Sequence, residues 1–168
     1  MDGNRIIQLK DALSSFIDLL TERDRFNIIA FSTGTAAFRS NLVTSTVAAK
    51  DSARSFVKKL TALGLTNFED ALHQSLLQTY KDPVHASIIF LTDGQPSWGQ
   101  ISTDSLLLFT KRWNSGNVRL FPIGVGGELD YSLLQNLASQ SGGLFTKGAV
   151  DDSIYVTAKD LYRRVFLS

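Results

Sequence analysis

Residues 86–94, Ala86-Ser87-Ile88-Ile89-Phe90-Leu91-Thr92-Asp93-Gly94, decide the fold class. Ala86 to Leu91 is apolar on both alternating faces, so it reads as a strand covered on both sides rather than one half facing water. Thr92-Asp93-Gly94 then ends it, and Pro96 and Gly99 keep the following loop open. Val118 to Val125 repeats the design and closes with Gly124, Gly126 and Gly127. Between the two runs, Ser102 to Trp113 has the pattern of a helix. Upstream, Phe26-Asn27-Ile28-Ile29-Ala30-Phe31-Ser32 reads as one more buried strand, with Ile29, like Ile89, expected in the core. Ala36 to Arg39 reads as a short edge strand, and Leu144 to Thr146 as another short strand.

Helices fill the intervals. Ile6, Leu9, Leu13, Phe16, Ile17 and Leu20 recur at steps of three and four, which places them on one helical face. Val47 to Leu60 is a second helix with Phe56, Val57 and Leu60 on its apolar side, and Gly64 is expected to stop it. Asn67 to Tyr80 is a third, with Thr66 or Asn67 as its N-cap and Glu69 and Asp70 in the first turn. Asp130 caps a helix carrying Leu133, Leu134, Leu137 and Ala138, which Ser141-Gly142-Gly143 ends. A last helix opens at Asp151-Asp152 and carries Ile154, Ala158, Leu161 and Val165. Buried strands alternating with amphipathic helices imply a doubly wound α/β fold, a mostly parallel sheet with helices on both faces. No linker or repeat interrupts it, so residues 1–168 read as one domain. The chain opens on a helix, whereas such folds ordinarily open on the central strand.

Composition narrows the function classes. The 168 residues are 43% hydrophobic and 20% charged, values of a soluble globular protein, and no apolar run reaches the ~20 residues of a spanning helix. Lys plus Arg number 17 against 16 Asp plus Glu, a balance without the global field that attracts nucleic acid or an anionic membrane. Zero cysteines exclude disulfides, thiolate metal sites and Cys nucleophiles. Met1 to Lys10 lacks the apolar core of a signal peptide. The compartment stays open.

Sites in open α/β sheets form at the carboxyl ends of the strands. That rule selects Ser32 and Thr33, the Gly64-Leu65-Thr66-Asn67 loop, Asp93 with Gly94, and the Gly124 to Glu128 loop. Asp93 is the strongest: a carboxylate after a buried strand projects into the crevice, where hard oxygen groups suit Mg2+ or Mn2+. The alternative is a loop-capping Asx turn. Thr66 is either a helix cap or a hydroxyl facing a cation. Gly124-x-Gly126 does not complete a dinucleotide fingerprint, because Leu129 holds the sixth position. His73 and His85 show no triad, and Lys58-Lys59 and Arg163-Arg164 read as solvent faces. Trp98, in a Pro/Gly loop beside the crevice, is a candidate partner anchor, the alternative being half-buried loop packing.

These segments resemble the von Willebrand factor type A domain family. Arg25 to Ser32 is similar to the family's second strand, and Gly64 to Leu72 to the loop and helix start presenting its metal-binding threonine. Ile88 to Gly94 resembles the fourth strand with its metal-site aspartate, and Val118 to Gly126 the fifth. The pattern looks most like the inter-alpha-trypsin inhibitor heavy chain and calcium-channel-subunit type. The resemblance implies a Rossmann-like fold of strand order 3-2-1-4-5-6 and a non-enzymatic, adhesion-type protein-binding module. Its metal-ion-dependent site joins Asp-x-Ser-x-Ser to a Thr and a further Asp, and a partner's carboxylate completes the shell of Mg2+ or Mn2+. Thr66 and Asp93 take the last two roles. The Asp-x-Ser-x-Ser segment and the first, central strand have no counterpart here, so the resemblance implies a chain that begins just after them. From this follow weak or absent metal binding and a tendency to self-associate. The alternatives are a metal-independent structural or assembly module and, further off, a Mg-dependent hydrolase using Asp93, which lacks an evident nucleophile or base.

Overall fold

A computed structural model describes residues 3–61, 65–81, 85–148, 160, 162 and 163. Helix α1 (Gly3–Leu19) comes first, followed by the strands β1 (Arg25–Phe26), β2 (Ile29–Phe31), β3 (Thr35–Ala37) and β4 (Val43–Thr44). Then come α2 (Val47–Lys59), α3 (Phe68–Leu76), β5 (Ser87–Thr92), α4 (Thr103–Trp113), β6 (Arg119–Val125), α5 (Tyr131–Ser141) and β7 (Thr146–Gly148). From α3 to β7 helices and strands alternate as the sequence implies. Parallel strands β5, β6 and β7 form one sheet in that spatial order, β2 and β3 an antiparallel hairpin, and β1 and β4 an antiparallel pair.

Several boundaries differ from the sequence reading. The edge strand expected at Ala36 to Arg39 is Thr35–Ala37, and the short strand expected at Leu144 to Thr146 is Thr146–Gly148. Three further differences have a local reason. The expected strand Phe26 to Ser32 is broken at Asn27-Ile28. Asn27 Oδ1 accepts the N–H of Ile28 at 2.9 Å and of Arg39 at 3.0 Å, and Asn27 Nδ2 donates to Arg39 C=O at 2.7 Å. The side chain thus takes over a rung of the ladder, and the two ends pair with different strands, β1 with β4 and β2 with β3. Helix α3 stops at Leu76 instead of Tyr80. There the Tyr80 hydroxyl donates to Ser75 C=O at 2.8 Å, taking the carbonyl that a further turn would give to Thr79. Helix α2 ends as Leu60 turns extended at ψ 139°; Gly64 lies outside the described residues. So do the residues named for the last helix, Asp151, Asp152, Ile154, Ala158, Leu161 and Val165.

Two cores hold the molecule. Phe68 and Leu72 of α3, Ile88 and Phe90 of β5, Leu106 of α4, Leu120 of β6, and Leu133, Leu134 and Leu137 of α5 form the larger. Ile17, Phe26, Ile28, Phe38, Ala53 and Val57 form the smaller, around α1 and α2. On the other face of β5 and β6, Phe16 of α1 packs with Ile89, Leu91, Phe121 and Ile123. Helices thus cover both faces of the parallel sheet. At its far edge Gly143 lies directly on the Leu120 carbonyl, where a Cβ has no room.

The layout of the sheet is β3-β2, then a break, then β5-β6-β7. Among the described residues no strand lies between β2 and β5. A cleft of about 700 Å³ occupies that place, lined by both strands and by Ile6, Leu9, Leu13 and Phe16 of α1. This corrects the burial expected of Ile29 and Ile89. Both are only half-buried, and β5 alternates between half-buried and buried residues although Ile88 to Leu91 are all apolar.

Candidate functional site at the carboxyl ends of the strands

The loops that follow β2 and β5 and precede α3 converge at one end of the molecule. Ser32 C=O accepts the N–H of Asn67 at 2.9 Å, and Thr33 C=O accepts Asn67 Nδ2 at 3.2 Å. The Thr66 carbonyl accepts the N–H of Ser97 at 2.9 Å and of Trp98 at 3.2 Å, while Thr66 N–H donates to Ser97 Oγ at 2.8 Å. Glu69 then accepts the N–H of Gln100 at 2.9 Å. Three loops distant in sequence are bound into one surface by main-chain bonds, which fixes its shape better than side-chain contacts would.

The two readings of Thr66 separate here. Asn67 is the N-cap of α3, its side chain accepting from Asp70 N–H at 3.1 Å. Thr66 is therefore not the cap, and it lines the end of the cleft together with Ser32 and Asp93. Asp93 follows β5 directly and is half-buried. The Asp93 turn is stapled by its neighbour, since Thr92 Oγ1 accepts Gly94 N–H at 3.3 Å. Of the Gly124 to Glu128 loop, Gly124 pairs with Thr92 in the ladder and packs against Leu129, and Gly126 adopts φ +101°. Gly126 needs the left-handed region, which explains the glycine.

Trp98 sits on this surface, 51% exposed, with Leu65 44% and Ile101 60% exposed near it in the same two loops. Sequence reasoning singled out Trp98 and the loop that holds Leu65 as candidates, but not Ile101. Its signal was present, since Ile101, like Leu65, is an apolar residue outside any periodic run. Gly99, at φ +69°, lets the loop pass close to Asn67: a Cβ there would stand 2.7 Å from Asn67 Oδ1. His73 lies away from these loops, its ring 4.5 Å from that of Trp113.

Asp93 supplies one carboxylate, with hydroxyl oxygens at Thr66 and Ser32, and among the described residues no three acidic or imidazole groups converge. Mg2+ asks for near-octahedral oxygen coordination at short range, anchored by fixed carboxylates. These residues do not by themselves fit such an ion.

A family model, the von Willebrand factor type A domain, matches residues 1–146. Inter-alpha-trypsin inhibitor heavy chain H4 of Homo sapiens is 34% identical over 98% of this chain, which spans 19% of that protein. Among solved structures, a von Willebrand factor type A protein from Catenulispora acidiphila superposes with TM-score 0.82 at 20% identity, covering 97% of this chain and 38% of the other. Proximal thread matrix protein 1 from the mussel byssus, with a zinc-occupied MIDAS motif, gives TM-score 0.71 at 22% identity over 94% of this chain and 40% of its own. The family match covers the Arg25–Ser32, Gly64–Leu72, Ile88–Gly94 and Val118–Gly126 segments on which the resemblance rests. No helix among the described residues is long and apolar enough to cross a membrane. The chain belongs to the von Willebrand factor type A domain family.

Proposed function

We propose that residues 1–168 act as one protein-binding domain, a binding module and not an enzyme, that engages its partner through the loops at the carboxyl ends of β2 and β5. Trp98 is the anchor, and Thr66 and Asp93 are the polar groups beside it. The observation that carries this reading is the exposure of Trp98, Leu65 and Ile101 on loops whose backbones are mutually hydrogen-bonded. An aromatic residue held on a rigid surface loses little entropy on binding, and such residues dominate interface energetics. The partner is a protein, not nucleic acid, in keeping with the balanced charge. A carboxylate of that partner is the complement expected of a family site that works through a cation. With Asp93 as its own carboxylate, this chain engages partners chiefly by the apolar patch, and metal adds little.

A selection from a displayed-peptide library on the immobilised chain tests this. Peptides recovered on the wild type are measured against Trp98→Ser and Asp93→Ala, with and without Mg2+. Loss of about tenfold or more in affinity on Trp98→Ser, the equivalent of ~1.4 kcal/mol, is the expected result. Peptides that bind wild type and both variants alike would place the binding surface elsewhere.

The second reading, a metal-independent assembly module, is favoured by a different feature, the break between β2 and β5.

A further inference from the structure

Charge is segregated along the α3, α4 and α5 side of the molecule. Residues 65–80, 92–110 and 124–146 carry no lysine or arginine, yet they hold Glu69, Asp70, Asp93, Asp104, Glu128 and Asp130. Each of these carboxylates falls at the carboxyl end of the sheet. Glu69 and Asp70 sit in the first turn of α3, Asp104 in the first turn of α4, and Asp130 at the N-cap of α5. Asp93 follows β5, and Glu128 lies in the loop after β6. The cations of the same elements gather at the opposite end. Lys111 and Arg112 are in the last turn of α4, Arg119 starts β6, and Lys81 precedes β5.

The carboxylates border the exposed apolar residues of the loop surface. Glu69 is tied to that loop through Gln100 N–H, and its Oε2 would stand 3.2 Å from a Cβ on Gly99, next to Trp98. Asp104 follows Ile101 by one turn of chain. Thr103 Oγ1 donates to Asp130 Oδ2 at 3.1 Å, which joins the start of α4 to that of α5 and so to the Glu128 loop. Asp104 and Glu128 are exposed, and no ion pair among the described residues holds either of them. Lys147 of β7 is engaged over the Tyr131 ring at 5.4 Å. Lys58 and Lys59 close α2 on the α1 side, where Lys10 Nζ donates to Lys58 C=O at 2.9 Å.

An apolar patch rimmed by uncompensated carboxylates discriminates by charge. An acidic segment would bring like charges together there, whereas a basic one is drawn in and held in register. Trp98 sharpens the choice, because an exposed indole face attracts a cation. Arginine suits both demands, since its planar guanidinium stacks on a ring while its N–H groups reach a carboxylate. Granted the loop-binding reading, we infer that the partner meets this surface with a cationic segment. It carries arginine next to an aliphatic or aromatic residue, the arginine on Trp98 against the Asp104 and Glu128 rim, the apolar residue against Ile101 and Leu65. Asp104 and Glu128 belong to α4 and to the loop before α5, so this preference does not depend on what Asp93 holds.

The test uses the whole 168-residue chain and three displayed-peptide pools. Their random cores are alike, and paired arginines, paired glycines or paired aspartates flank them. Peptides recovered from each pool are measured on the wild type, on the double variant Asp104→Asn with Glu128→Gln, and on Trp98→Ser. Each measurement is made at about 50 and 300 mM NaCl. The double variant keeps side-chain size and removes only exposed charge. The expected result is recovery chiefly from the arginine pool, with affinity about fivefold or more lower on the double variant, lower again at the higher salt, and lost on Trp98→Ser. Trp98-dependent peptides recovered as readily from the glycine or aspartate pool would overturn the cationic partner and leave the loop reading standing. So would arginine peptides indifferent both to salt and to the double variant. Arginine peptides that bind Trp98→Ser as tightly as the wild type would overturn both, as would recovery from none of the pools.

Discussion

The rings of Phe31 and Phe90 stack with centroids 5.2 Å apart and planes at 15°, joining two strands that share no backbone ladder. Phe68 of α3 meets both edge-on, at 6.0 Å from Phe31 and 4.9 Å from Phe90. Side chains therefore hold β2 to the parallel sheet where main-chain bonds do not. Such aromatic contacts contribute ~0.5–1.5 kcal/mol each beyond area burial.

Phe68→Ala removes the keystone of this cluster. Phe68 is fully buried, so a loss of ~3–5 kcal/mol is expected in urea unfolding. Because that is a large share of an ordinary domain's stability, Phe68→Leu is the informative companion. It should cost less and keep the fold, and equal tolerance of both changes would mean that the ring contacts contribute nothing.

At the loop surface, Asn67 and Thr66 should behave oppositely. Asn67→Ala deletes the α3 cap and the bond to Thr33 C=O, and ~1–2 kcal/mol of stability should go with it. Thr66→Ala leaves the main-chain bonds of that residue intact and should change stability by less than ~0.5 kcal/mol. Equal losses from the two would show that Thr66 is a structural residue.

Metal affinity should be low. With one carboxylate and neighbouring hydroxyls, the chain is expected to bind Mg2+ or Mn2+ with Kd near 1 mM or weaker, about 4 kcal/mol. Titration calorimetry showing micromolar binding that Asp93→Ala abolishes would contradict this.

Alkaline pH should weaken the fold through Tyr80. Burial pushes its phenol up to about 12 from the ordinary 10. Above pH ~10 the unfolded chain releases this proton while the folded one retains it, so stability falls as pH rises from about 10 to about 12. Tyr162 is also raised, by burial and by Asp24, so Tyr80→Phe should flatten the decline without abolishing it. An unchanged pH slope in Tyr80→Phe would place the effect elsewhere.

Much of this was legible in the residues, and the exceptions have physical causes. The β5, α4, β6 and α5 segments follow from apolar runs and from caps such as Ser102 and Asp130. The break at Asn27 did not, because its cause is a side chain bonding to Arg39, twelve residues away. Nor did the early end of α3, set by a hydroxyl reaching back from Tyr80. Burial of Ile29 and Ile89 was overestimated because apolar sequence reports the surroundings a strand is built for. A neighbour on both sides is a tertiary fact. Position after a strand singled out Asp93 as a candidate, whereas the exposure of Leu65 and Ile101 depends on how the loops pack.

The open sheet is tested most directly by residue-resolved hydrogen exchange on the free chain at monomeric concentration. Ile88 and Phe90 of β5 direct their backbone toward β6, whereas Ser87, Ile89 and Leu91 direct theirs into the cleft. The predicted result is alternation along a single strand. The Ile88 and Phe90 amides should exchange only by cooperative unfolding, and the Ile89 and Leu91 amides faster by about tenfold or more, with Ile29 and Phe31 of β2 matching the fast set. Uniform, global-level protection along Ser87–Thr92 would contradict the open sheet, because it would require a bonded strand on the β2 side of β5.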